Sequence, residues 1–185
     1  FTGTVQFTGG VNQFIRSSTL ASLTFYNLIV NNTAGFTTSV TGTLTSITAQ
    51  DFTETTGNFT AGTAATFNIN GNCLLTAGTF TAGTTTNIAG NWTNNGGTFT
   101  PGTNTVNFTG TGAQTINGTT ASQTFYNFVV VKTAGTLLNT GGSTITLTTN
   151  NLTETTGDFT APATLNINST ATAALTLTAG TFTAG

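Results

Sequence analysis

The chain has 185 residues, a net charge of −2, charged residues at only 3% and no histidine or methionine. A soluble domain carries roughly 25% charged residues; with Arg16 and Lys132 as the only cations, the basic clusters that phosphate recognition needs are missing, and nucleic acid is excluded as a partner. Without histidine, Ser-His-Asp, Cys-His and histidine-containing metal sites are excluded too.

About fifty threonines, 23 glycines and 15 phenylalanines stand against almost no Lys, Glu or Met. β-Branched and aromatic residues favour strands, and the missing residues are helix formers, so no helix is expected. Cys73 is alone, which rules out an internal disulfide and predicts a buried thiol. Low charge gives little repulsion between copies, so association is expected.

Along the chain, Val5-Gln6-Phe7-Thr8-Gly9 is the first strand-like run, and it returns as Val106-Asn107-Phe108-Thr109-Gly110. Thr24-Phe25-Tyr26-Asn27 returns as Thr124-Phe125-Tyr126-Asn127. The apolar patch Leu28-Ile29-Val30 and its later counterpart Phe128-Val129-Val130-Val131 are strand-sized, and no run approaches the 18 apolar residues of a membrane helix. No membrane insertion is expected. Phe52-Thr53-Glu54-Thr55-Thr56-Gly57 returns as Leu152-Thr153-Glu154-Thr155-Thr156-Gly157. The long period is therefore about one hundred residues, and the chain holds not quite two copies, approximately 1–100 and 101–185 of a single solenoid.

A shorter beat runs inside the long one. Phe-Thr followed by small and turn residues recurs at Phe59, Phe80, Phe99, Phe159 and Phe182. In Ala65-Thr66-Phe67-Asn68-Ile69-Asn70, Phe and Ile share one face and Thr and Asn the other, the alternation of a half-buried strand. Ala-Gly, Asn-Gly and Pro-Gly pairs make the corners. The fold class that follows is all-β: a parallel β-solenoid of about three short strands and roughly 20 residues per rung, in about nine rungs, with about five rungs per long repeat. Stacked rungs would align Phe59, Phe80, Phe99, Phe159 and Phe182 into an internal aromatic ladder. An antiparallel sandwich is the competing fold.

Neither end reads as a polar cap, and no signal peptide is visible before Phe1, so the chain reads as processed or partial. Gly180-Thr181-Phe182-Thr183-Ala184-Gly185 matches Gly97-Thr98-Phe99-Thr100-Pro101-Gly102, and the run after that internal copy resembles Phe1 to Gly9. Phe1, Val5, Phe7, Phe182 and Gly185 are accordingly the expected assembly termini.

The acids offer no catalytic pair. Glu54 and Glu154 would stand roughly 24 Å apart across five rungs, whereas paired glycosidase carboxylates sit about 5–9.5 Å apart. Asp51 with Glu54, and Glu154 with Asp158, could make a sparse calcium contact, but solvated corner residues are the preferred reading. No catalytic residue, metal or cofactor is expected. Tyr26, Tyr126 and Trp92 could form a sugar-stacking surface, though packing or a strand-edge role is preferred, and Gly110-x-Gly112 reads as turn punctuation.

Gly90-Asn91-Trp92-Thr93-Asn94-Asn95-Gly96-Gly97-Thr98-Phe99, Val106-Asn107-Phe108-Thr109-Gly110, Gln114-Thr115-Ile116 and Thr124-Phe125-Tyr126-Asn127 together resemble repeat units of very long bacterial cell-surface proteins. Those are secreted β-strand-repeat proteins of the adhesin and surface-filament kind. The resemblance implies secretion to the cell surface, a parallel β-solenoid, and a role in attachment, sheath or matrix. It carries over no functional residues. The expected function is thus structural rather than enzymatic: a subunit or segment of an extracellular filament, sheath or adhesin stalk. Its partners would be copies of itself or adjoining repeats. The alternative is a surface binding module with a glycan- or ice-binding Thr/Asn face.

Overall fold

A computed structural model describes residues 2–170, 172 and 174–185. No helix occurs among them, and every strand pair is parallel, which removes the sandwich. The chain winds through about 8 turns of about 23 residues, each turn making three sides. At the interstrand spacing of about 4.8 Å, that is a rod about 40 Å long.

One sheet of 15 strands wraps two of the three sides, and shorter sheets of five and three strands cover the third. The large sheet turns the corner because Ser22–Asn32 and Ser46–Thr56 are long strands shared by both sides. In the second of these, Ser46 to Ala49 pairs with Thr66–Ile69, while Phe52 to Glu54 pairs with Cys73–Leu75.

Alternation decides which side chains go inside. On the first side Val5, Leu28, Phe52, Cys73, Trp92 and Ile116 are in register from turn to turn and face inward. On the second, Leu23, Ile47, Phe67, Thr86, Val106, Phe128 and Leu152 do the same. A globular core is thereby replaced by an axial column in which each ring touches rings of its own and adjacent turns. Phe80 lies 5.2 Å from Phe52, 5.6 Å from Phe59, 5.9 Å from Phe67 and 5.2 Å from Phe99, centroid to centroid. Tilted and edge-on contacts at such distances suit the aromatic quadrupole.

The long repeat does not occupy a whole number of turns. The strand that opens the second copy, Thr105–Phe108, does not stack on the first copy's Trp92–Asn94. It pairs with Thr85–Ile88 on the neighbouring side. Trp92–Asn94 is followed instead by Gln114–Gly118, the counterpart of Gln13–Ser17. The second copy therefore sits one side further round than the first, and the expected five rungs per repeat is corrected accordingly.

The expected aromatic ladder divides for the same reason. Phe59, Phe80 and Phe99 stack in register on the third side, whereas Phe159 and Phe182 stack on the first. Phe125 and Phe128 join the two rows, at 5.8 Å from Phe99 to Phe125, 5.4 Å from Phe125 to Phe128 and 5.3 Å from Phe128 to Phe159.

Corners set a strict glycine requirement at several places, the tightest of them shared by both copies. Gly57 and Gly78 stack with φ of 78° and 86°, and a Cβ on Gly78 would lie 1.7 Å from the Gly57 carbonyl oxygen. Gly157 and Gly180 repeat this corner. Gly78→Ala combines a left-handed backbone with a clash against main chain that cannot rotate away. It is expected to cost about 3 kcal/mol in urea unfolding. Gly102→Ala is the matched control: its φ of 55° is also positive, but a Cβ there meets nothing within 4 Å, so its cost should be the smaller of the two.

Candidate functional site at the junction between copies

The two copies meet between Thr98–Thr100 and Thr105–Phe108. Backbone pairing crosses this junction on two of the three sides: Thr105 N–H donates to Thr84 O at 3.0 Å and Thr109 N–H to Ile88 O at 2.9 Å, whereas on the third side the five-stranded sheet ends at Thr98–Thr100 and a new sheet begins at Ser122–Thr124. Asn127–Val131 then pairs with Thr105–Phe108 as any later turn does. Inside, the fully buried Trp92 sits edge-on to Phe99 and Phe125, with centroids at 4.9 and 5.2 Å. Its indole N–H donates to Gln123 Oε1 at 3.1 Å, which satisfies the one polar group that its burial would otherwise strand. Trp92 is thus packing, as preferred from sequence. Tyr26 is 41% exposed.

Lys132 holds the other part of the junction. Its ammonium donates to the carbonyl oxygens of Gly110 at 2.9 Å and Gly112 at 2.8 Å, and to Gln114 Oε1. Gln114 in turn donates from Nε2 to the carbonyls of Ile88 and Gly90. The 110–112 turn, read as punctuation, is therefore an acceptor cradle around a buried cation. Burial lowers the Lys132 pKa to about 8. In the first copy the corresponding residue is Asn32, whose amide donates to Thr38 Oγ1 at 2.8 Å. The signal available in the sequence was this Asn-to-Lys exchange at equivalent positions.

The acids divide by strand direction. Asp51 points outward and accepts the Asn72 N–H at 2.7 Å, starting a corner ladder in which Asn72 accepts from Asn91 and Asn91 from Thr115, each at 2.9 Å. Asp158 likewise accepts the Thr181 N–H at 2.9 Å. These two acids are corner residues. Glu54 and Glu154 are not, which corrects the solvated-corner reading: both are buried in inward rows. Glu54 lies between Val30 and Leu75 on the first side, and Glu154 between Val130 and Leu177 on the second. Asp51 and Glu54 leave opposite faces of one strand, so their carboxylates do not converge on a cation.

Neither Glu54 carboxyl oxygen has a hydrogen-bond partner, nor does Glu154 Oε2. Desolvation pushes the Glu54 pKa up to about 8, outweighing the smaller lowering by the nearby backbone N–H groups of Phe59 and Thr79, whose geometry falls short of a hydrogen bond. For Glu154 the shift is also upward, from burial first and then from the Asp158 charge. Cys73, paired in register with Phe52, is fully buried; burial and then the nearby Glu54 raise its thiol far above the ordinary range. Glu54 and Cys73 are neutral interior groups near pH 7.

Among the residues assigned to assembly, Val5 and Phe7 point inward in register with Leu28 and Val30. Phe182 stacks on Phe159, and Gly185 packs so closely on Ala161 that a Cβ would lie 2.4 Å from its carbonyl oxygen. Phe1 lies outside the described residues. The outer surface is laddered as well: Asn107 donates to Asn87 and Asn87 to Asn68, both at 2.7 Å, and Asn151 donates to Asn127 at 2.8 Å. Such ladders consume outward amide groups in bonds parallel to the axis.

No protein-family profile, curated protein or solved structure matches the chain.

Proposed function

We propose that the chain is a structural segment of an extracellular filament, sheath or adhesin stalk, lengthened by continuing the same solenoid through further copies of its repeat. The observation that carries this reading is the junction near Thr98 to Phe108. One copy there passes into the next with the large sheet on two sides, the aromatic column and the outer Asn ladder continuous, while the third side changes from one sheet to another. A unit that joins its neighbour this way needs no linker. The further copies lie on the same chain or stack head to tail, and the low charge removes the repulsion that would oppose either arrangement. Secretion to the cell surface rests on the resemblance to surface-repeat proteins.

Electron microscopy of the chain beside concatemers of its repeat tests this. Each added copy is expected to lengthen one continuous rod by roughly 22 Å, the rise of between four and five turns. Beads joined by flexible connections, or compact particles whose length does not grow with copy number, would refute it.

A further inference from the structure

We propose that the groove beside Phe14 and Arg16 binds a carboxylate-bearing sugar, such as a uronate residue of an acidic polysaccharide. Phe14 and Arg16 are two apart on Gln13–Ser17 and both point outward, Phe14 with 60% of its surface exposed. With Ser18, Thr41 and Thr43 they line a cavity of about 540 Å³, the size of a small-ligand site. Three groups of different chemistry meet there.

Phe14 presents an aromatic face of the kind against which the C–H face of a pyranose packs. Arg16 supplies a planar fork suited to bidentate carboxylate binding. It is the one exposed cation among the described residues, because Lys132 is buried in its carbonyl cradle. Thr41 pairs in register with Arg16 and lines the groove beside it. Gly42 keeps the floor low, since a Cβ there would lie 3.4 Å from Arg16 Cγ and 2.1 Å from the Ser17 carbonyl oxygen.

The internal repeat supplies an independent argument. Strand pairing makes Gln114–Gly118 on Leu137–Thr140 the counterpart of Gln13–Ser17 on Thr37–Gly42. In the second copy the places of Phe14, Arg16 and Thr41 are taken by Thr115, Asn117 and Gly141. The solenoid therefore forms with small neutral residues at all three positions. Packing does not require the aromatic ring, the cation or the hydroxyl, yet the first copy places them together on one face. The inference does not depend on how copies are joined, so it stands or falls separately from the filament reading.

The test is titration of the whole chain with a galacturonate trisaccharide, followed by calorimetry and by chemical-shift changes at 14–18 and 41–43. The neutral galactose trisaccharide, acetate and inorganic phosphate serve as comparisons. Saturable binding of the uronate is expected, at least tenfold weaker for the neutral sugar and for both small anions. Phe14→Ser and Arg16→Gln should each weaken it at least tenfold while leaving the thermal midpoint unchanged, as suits exposed positions. Arg16→Lys, which keeps the charge but not the fork, should fall between and guards against a folding defect in Arg16→Gln. Equal binding of the neutral sugar, phosphate binding as tight as the uronate, or uronate binding indifferent to both substitutions would each overturn the proposal.

Discussion

Phe80→Ala is expected to destabilise the chain by about 3–5 kcal/mol, the cost of emptying a large aromatic site in a packed core. Phe80 is fully buried and touches rings from its own turn and from the turns on either side. In a solenoid each turn contacts only its neighbours, so the loss falls on one segment of the column and cannot be spread over a globular interior. Urea unfolding with hydrogen exchange would show lowered protection centred on 52–99, the stretch spanned by the rings that touch it. Protection lost uniformly along the chain, or a cost below about 1 kcal/mol, would contradict the column as the source of stability. Phe14→Ala, at an exposed ring, should fall within about 0.5 kcal/mol of the parent.

Stability should also fall as pH rises from about 4.5 to 8. The folded chain holds the Glu54 proton up to about pH 8, whereas the unfolded chain releases it near 4.5. The folded state therefore binds more protons across that window, and the contribution, complete below pH 4.5, is lost as pH climbs through 8. At 1.36 kcal/mol per pH unit, the loss from Glu54 alone is about 3 kcal/mol between pH 4.5 and 7. Glu154 acts in the same direction. Lys132 acts at higher pH: its lowered pKa makes stability rise again between about 8 and 10.5. Glu54→Leu places an aliphatic side chain between Val30 and Leu75, so it should stabilise the chain at pH 7 and flatten the slope below pH 8. Urea midpoints measured from pH 4.5 to 8 decide the matter; a flat or rising curve for the parent chain would show that Glu54 is solvated or paired.

These outcomes depend on residues that the sequence reveals unequally. The inward rows were legible because period-two alternation is strict: Phe67 and Ile69 are buried and Asn68 is laddered outside. The same alternation places Glu54 inward, two residues after Phe52. The expectation that charged residues stay solvated prevailed in reading it, and here the pleat overrides that expectation. The Lys132 cradle was not legible, since its acceptors are carbonyls of Gly110 and Gly112, which any residue would carry. The Phe14 and Arg16 groove was hidden in another way. Phe14 belongs to the inward class by residue type and to the outward class by position, and only the strand register resolves the conflict.

The two readings of the long repeat show the same division between sequence and structure. Sequence alone determined that the fold is all-β and favoured a parallel solenoid, because of its short beat of alternating strands and small corner residues; the parallel strand pairing then removed the antiparallel sandwich. It also determined that the chain carries one unit nearly twice. Only the tertiary structure decided how the second unit sits on the first. Turn length varies from step to step: the spacing is 19 residues between Thr66 and Thr85 but 24 between Trp92 and Ile116. Residue counts therefore cannot be converted into whole turns, and which side a strand occupies is settled by the backbone partner it finds. That partner turns the second copy by one side and splits the phenylalanine ladder between two of them.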